Sequence, residues 1–212
     1  MLNFKSILIV TLFLFPLFAQ AQTSYERALV IIDMLQYFPA AHHQEINKKI
    51  EEQIALAKSH SDLIIFVKYT QDADSSINKN LYGLTSDYQN HTMIVGKNSN
   101  SGGEEIFQTL DENGITVNKF ILVGVNTCLC VKDTATTLAK IIGERKLEGT
   151  NITIPSNACH CHSRGNHNGC TACNVPKGID SILLGGGQHS ACNRNLITLS
   201  KMFPSIIKIL QQ

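Results

Sequence analysis

Lys119-Phe120-Ile121-Leu122-Val123-Gly124-Val125-Asn126-Thr127-Cys128-Leu129-Cys130-Val131 joins an apolar run to a helical one through a glycine-led turn. Phe120–Val123 reads as a strand buried on both faces, and the spacing predicts a helix from about Val131 to Ile142. A cysteine at a strand-to-helix junction meets helix-end amide donors and a positive dipole end, both of which favour thiolate over thiol. Cys130 is therefore the first candidate for covalent chemistry.

The same alternation extends along the chain. Ala28–Ile32, Leu63–Val67, Thr92–Val95, Asn151–Ile154 and Ile182–Leu184 read as strands. Glu45–His60 has helical spacing, with Ile46, Ile50, Ile54 and Ala57 on one face, and Glu104–Asn113 is a helix stopped by Gly114. Ala191–Met202 is a further helix. Strands alternating with helices predict an α/β layer sandwich around a parallel sheet covered on both sides.

The first residues read as an address. Lys5 precedes an apolar run, Ile7–Phe18, too short to span a bilayer, and Ala19-Gln20-Ala21 has the small-x-small pattern of a signal peptidase site. The expected division is a signal peptide at 1–21 and one domain at 22–212, exported to the periplasm or secreted, with no membrane association after cleavage. Loss of Lys5 leaves 17 basic side chains (18 less one) against 17 acidic ones. That balance offers no electrostatic reason for nucleic acid or an anionic membrane as partner.

In open parallel sheets, chemistry gathers beyond the carboxyl ends of the strands, where strand order reverses. Asp33, Lys97 and Cys130 each follow a strand. If the first and fourth strands are neighbours, Asp33 and Cys130 face each other. The third strand then lies roughly 10 Å from the first, at about 4.8 Å per strand, within reach of a lysine. A carboxylate can take the thiol proton, and an ammonium can stabilise the resulting charges. Singly, Asp33 reads as a turn residue, Lys97 as a solvated side chain and Cys130 as a small buried filler. Together, at three strand ends of one sheet, they read as a site.

Those residues resemble the isochorismatase-like cysteine hydrolases. The first family motif is similar to Ala28-Leu29-Val30-Ile31-Ile32-Asp33-Met34-Leu35-Gln36-Tyr37-Phe38, and the lysine motif to Ile94-Val95-Gly96-Lys97. The nucleophile motif is similar to Gly124 through Val131 followed by Thr134-Ala135, and the resemblance spans roughly residues 26–210. It implies a Rossmann-like three-layer sandwich of about six mostly parallel strands, and an Asp33–Lys97–Cys130 triad. It further implies a cis peptide at Val125-Asn126 that aims backbone N–H groups near Asn126 and Cys130 at an oxyanion. The implied activity is hydrolysis of a small amide through a thioester, with no cofactor required. A homo-oligomer is left open. Tyr37 and Phe38 are candidate pocket residues, although two aromatics beside a strand end are as often core.

Two departures narrow the substrate. Nicotinamide-hydrolysing members carry a metal-binding Asp-x-His after the second strand, whereas Thr70-Gln71-Asp72-Ala73-Asp74 has no histidine. Isochorismate-cleaving members lack the cysteine, so Cys130 points to amide-type hydrolysis.

The segment at about 156–178 is rich in cysteine and histidine: Cys159, His160, Cys161, His162, His167, Cys170 and Cys173. The spacing allows two loop-stapling disulfides, or a zinc site at Cys159, Cys161, Cys170 and Cys173. Past a strand's carboxyl end, the loop should roof the site. The runner-up function is accordingly a non-hydrolytic metal-binding or redox protein on the same fold.

Overall fold

The structure, a computed structural model, describes residues 22–160 and 197–210. Strand β1 (Thr23–Ile32) lies between β2 (Leu63–Tyr69) and β4 (Ile115–Val125). A central strand must be apolar on both faces, and Ala28–Ile32 satisfies that. Ala28, Val30 and Ile32 enter one buried cluster, Leu29 and Ile31 the other, as the two-residue strand period requires.

The sheet continues outward through β3 (Thr92–Lys97) on one side and β5 (Asn151–Pro155) and β7 (Ile207–Leu210) on the other. Its order is β3-β2-β1-β4-β5-β7, and a short β6 (Cys159–His160) pairs with β4. Every described strand pair is parallel. The chain steps outward from β1 through β2 to β3, then returns to the other side of β1 with β4. That reversal opens a crevice at the carboxyl ends of β1 and β4.

Helices cover both faces. On α1 (Gln44–Ser59), Ile46, Ile50, Ile54 and Ala57 pack with Leu29, Ile31, Ile64 and Phe66. A short α2 (Lys79–Gly83) joins this side, its start capped by the Asn78 side chain, which accepts from the Asn80 and Leu81 amides. The opposite face carries α3 (Gly103–Glu112) and α4 (Lys132–Glu144), whose Ile106, Leu110, Leu138 and Ile142 meet Val30, Ile65, Val67 and Leu122. Each fully buried aliphatic side chain contributes about 1.5–3 kcal/mol. The fold is thus the expected three-layer α/β sandwich.

Differences from the sequence reading concern extent. β1 and β4 begin earlier than their apolar runs because polar residues such as Ser24, Thr116 and Asn118 alternate there with Tyr25 and Val117, pairing in register (Ser24↔Thr116, Tyr25↔Val117). β7 was not expected: Lys208 interrupts its apolar character, and its place comes from pairing with β5. The Ile182–Leu184 strand, most of the Ala191–Met202 helix and the signal peptide at 1–21 lie outside the described residues. Residues 197–202 are helical. Among the described residues no helix is long and apolar enough to cross a membrane.

One glycine holds the crevice closed at its base. Gly124 has φ +120° and stands in register with Ile32; a Cβ there would come within 2.2 Å of the Ile32 carbonyl oxygen. Only glycine permits both that backbone conformation and that approach. Residues Asp33 and Val125 leave their strands from this contact.

Candidate active site

Asp33 ends β1 in the left-handed region (φ +53°), which aspartate tolerates better than most residues. Its amide donates to the Val67 carbonyl at 3.0 Å. Lys97 ends β3, two strands away, and its fully buried side chain crosses beneath β2 to donate to Asp33 Oδ2 at 2.7 Å. The predicted reach of the lysine is what the sheet order demands. Lys97 Nζ also donates to the Asn100 carbonyl at 3.0 Å and lies 4.6 Å from the centre of the Tyr69 ring.

The third candidate follows β4. The Val125–Asn126 peptide is cis. Thr127–Val131 forms one π turn before α4, with the Leu129 and Val131 amides both donating to the Asn126 carbonyl, at 3.1 and 3.2 Å. π turns often occur where a side chain must be re-aimed. The Val125 side chain is buried in the α1-side core, so only its backbone faces the turn.

Cys130 is 3 % exposed and is a free thiol. Its Sγ lies 3.9 Å from Asn100 Oδ1 and 3.9 Å from the Tyr69 hydroxyl. Burial, then the Asp33 charge, push the thiol up from 9.0 to about 11, opposed by Lys97 and by a backbone hydrogen bond from Asn126. Here desolvation and the neighbouring carboxylate outweigh the helix-end donors that favour thiolate, and the proton is left for Asp33 to take. Burial also raises Asp33 above the ordinary carboxylate range, although Lys97 and Cys130 pull it down. The thiol reaches Asp33 only as a long, weak contact that pulls its carboxyl down. No contact is short enough to satisfy Asp33 Oδ1, which among the described residues is buried without a partner. One carboxylate oxygen is held by Lys97; the other is an open acceptor beside a protonated thiol.

Sequence reasoning missed Tyr69 and Asn100. Tyr69 ends β2 in register with Lys97, and Asn100 sits in the loop between β3 and α3. Position at a strand end was the available signal for Tyr69, but its type reads as core. Asn100 is held by a tether that uses the motif residue Thr134, whose buried hydroxyl accepts from the Gly102 amide at 3.0 Å.

Tyr37 is exposed and donates to Asp72 Oδ2 at 2.6 Å, while Phe38 is half-buried against the α1-side core. Asp72 in turn raises Asp33, which sets this pair at the rim. Asp74 pairs with Lys68 at 3.4 Å. The carboxylates after β2 are therefore already engaged, and no group of three His, Cys, Asp or Glu side chains converges for a metal among the described residues. Among the described residues, the donor set after β2 does not fit the family's active-site metal.

Cys159 is a free buried thiol in β6, with Sγ donating to the Leu122 carbonyl at 3.7 Å. β6 seals it against β4, and burial pushes it from 9.0 to about 12. Cys161, Cys170 and Cys173 lie outside the described residues.

Both raised thiols make the fold sensitive to alkali. Below pH 9, folded and unfolded chains both hold these protons, and the stabilisation is complete. As pH rises through 9 towards 11 and 12, the unfolded chain loses them first and stability falls. Tyr25, Tyr37, Tyr69 and Tyr88 are all raised above 10, so they act later. Urea unfolding should show a loss already between about pH 9 and 10, with a shallower slope in Cys159→Ala. An equal slope in the variant would remove Cys159 from the account.

The isochorismatase domain family matches residues 27–170, which include all three strand ends. The chain belongs to the isochorismatase family. This isochorismatase-family hydrolase is similar in structure to the nicotinamidase from Staphylococcus aureus, with TM-score 0.59 and 16 % identity over 87 % of this chain and 99 % of that one. It is also similar to a pyrazinamidase/nicotinamidase from Streptococcus mutans (0.58, 18 %, 86 % and 99 %). An isochorismatase from Pseudomonas putida is a third (0.54, 14 %, 87 % and 87 %). At these identities the likeness is one of fold. No curated protein matches the sequence.

Proposed function

We propose that this family member is a cysteine hydrolase that cleaves the C–N bond of a small amide, with Cys130 as nucleophile, Asp33 as acid–base and Lys97 as its partner. The observation that supports this reading is the open Asp33 Oδ1 beside a neutral Cys130 thiol, while Oδ2 is fixed by Lys97.

The Cys130 S–H proton passes to Asp33, and the sulfur attacks the carbonyl carbon as its π electrons move to oxygen. Backbone N–H groups of Asn126 and Cys130 receive that oxyanion. Collapse breaks the C–N bond, Asp33 returns its proton to the nitrogen, and the amine leaves. Water, deprotonated by Asp33, then attacks the thioester; the acid departs and the thiol regains its proton. Lys97 orients the carboxylate throughout. No step needs a metal or cofactor.

The neighbours named as nicotinamidases do not make nicotinamide the substrate proposed here, because the stretch after β2 has no histidine and its carboxylates are engaged. We further propose export, to the periplasm or as a secreted protein, on the strength of residues 1–21. The test is a library of small amides incubated with the reduced full-length protein, followed by mass spectrometry of the quenched mixture. A substrate should leave its acyl mass on the Cys130 peptide. Turnover with the acyl group never found on Cys130, even under rapid quench, would sink the covalent route.

A further inference from the structure

Tyr69 is a buried-edge phenol that neither the family motifs nor the three-residue mechanism uses. It closes the site from the β2 side, and three contacts define it. The hydroxyl lies 3.4 Å from Asn100 Oδ1 and 3.9 Å from Cys130 Sγ, and the ring face stands 4.6 Å from Lys97 Nζ. Tyr69 and Lys97 are register partners on adjacent strands, so the ring is carried to the ammonium by the sheet itself.

We propose that Tyr69 is a further catalytic residue, whose hydroxyl donates to the Cys130 sulfur as it becomes anionic and whose ring holds Lys97 against Asp33. The proposal rests on Cys130 being the nucleophile. At rest the thiol can give its own proton to Asn100 Oδ1, and the phenol shares the same acceptor. Once the thiol proton has gone to Asp33, sulfur becomes the better acceptor, since hydrogen bonds to a charged atom are about twice as strong as neutral ones. The phenol then turns from Asn100 to sulfur with no movement of its ring.

Two further facts suit this role. Burial, with Cys130 and Asp33 nearby, raises the Tyr69 hydroxyl, so it keeps the proton it must donate. The Asn100 backbone carbonyl is fixed by Lys97, which sets the side-chain acceptor within reach of both donors. Among the described residues, the charged and titratable groups facing Cys130 are Asp33 after β1, Tyr69 from β2 and Lys97 from β3, with Asp72 acting on Asp33 and Tyr37 on Tyr69 from the rim.

The probe is iodoacetamide, with Cys130 labelling followed by peptide mass spectrometry as a function of pH on the full-length reduced protein. Tyr69→Phe keeps the ring over Lys97 and deletes only the donor. Its labelling profile should move to higher pH, with a rate at fixed pH about tenfold lower. Asn100→Ala keeps the carbonyl held by Lys97 but removes the competing acceptor, so its profile should move to lower pH. These opposite displacements distinguish a donor to sulfur from a packing residue, whose loss would slow both variants or neither. A Tyr69→Phe profile that superimposes on the parent's overturns the proposal while leaving Cys130 as nucleophile. A Cys130 unlabelled in the parent overturns both. Should Tyr69→Phe fail to fold, Asn100→Ala decides alone: an unmoved profile refutes the donor competition.

Discussion

Cys130→Ala should reduce amide hydrolysis by about four orders of magnitude or more, to the level left by binding and backbone donors alone. The change removes one sulfur from a site that is already 3 % exposed, and the surrounding Val131 and Ala135 packing is untouched. The melting curve should stay within a few degrees of the parent's, so loss of activity can be assigned to chemistry. No acyl adduct should form, although substrate should still bind. The prediction discriminates between readings of the whole chain. A metal-dependent activity in the cysteine- and histidine-rich segment would survive Cys130→Ala and vanish with a chelator. Retention of full turnover by the alanine variant would end the cysteine-hydrolase reading outright.

Lys97→Met should destabilise the fold by about 3–5 kcal/mol at neutral pH, because it strands a buried carboxylate whose only charged contact at hydrogen-bond distance among the described residues is lost. Methionine fills a similar volume, so packing is a minor part of the cost. The pH dependence carries the diagnosis. Without Lys97 the Asp33 carboxyl, already raised by burial, moves higher still. Below the unfolded carboxyl range, near pH 4, both states hold the proton and the penalty shrinks. As pH rises, the unfolded chain ionises freely while the folded one cannot, and stability is lost. Urea titrations at acid and neutral pH measure this directly, and the Asp33→Asn/Lys97→Met double variant should recover most of the deficit. A single-variant cost under about 1 kcal/mol, independent of pH, would show the pair to be solvated instead.

Much of this arrangement was legible in the sequence because burial leaves an unambiguous signature in parallel strands. Ala28–Ile32 and Phe120–Val123 are apolar on both faces, and the reactive residues sit where each run stops. From Asp33, Lys97 and Cys130 alone, sheet order and a lysine's length predicted a single cluster, and the sheet brings the pieces together. The ends of β1 and β4 were hidden because half-buried strand ends alternate, as Ser24 and Asn118 do. The environment of Cys130 was hidden for a different reason. A helix start argues for thiolate, but desolvation belongs to the packed structure and has no local code. Tyr69 escaped for the same reason: a tyrosine ending an apolar strand reads as core until the Lys97 side chain is seen passing over its face.

The two sides of the β1–β4 ladder have unequal shares of the chemistry. Asp33, Tyr69, Lys97 and Asn100 all precede residue 101, at or just past the carboxyl ends of three contiguous strands, whereas Cys130 arrives on the other side of β1. A chain emerging in order can thus assemble its acid–base half before its sulfur exists in the fold. On the roles proposed here, the carboxylate and the ammonium come from one side of the β1–β4 ladder and the thiol from the other, so the three meet only where β4 pairs with β1.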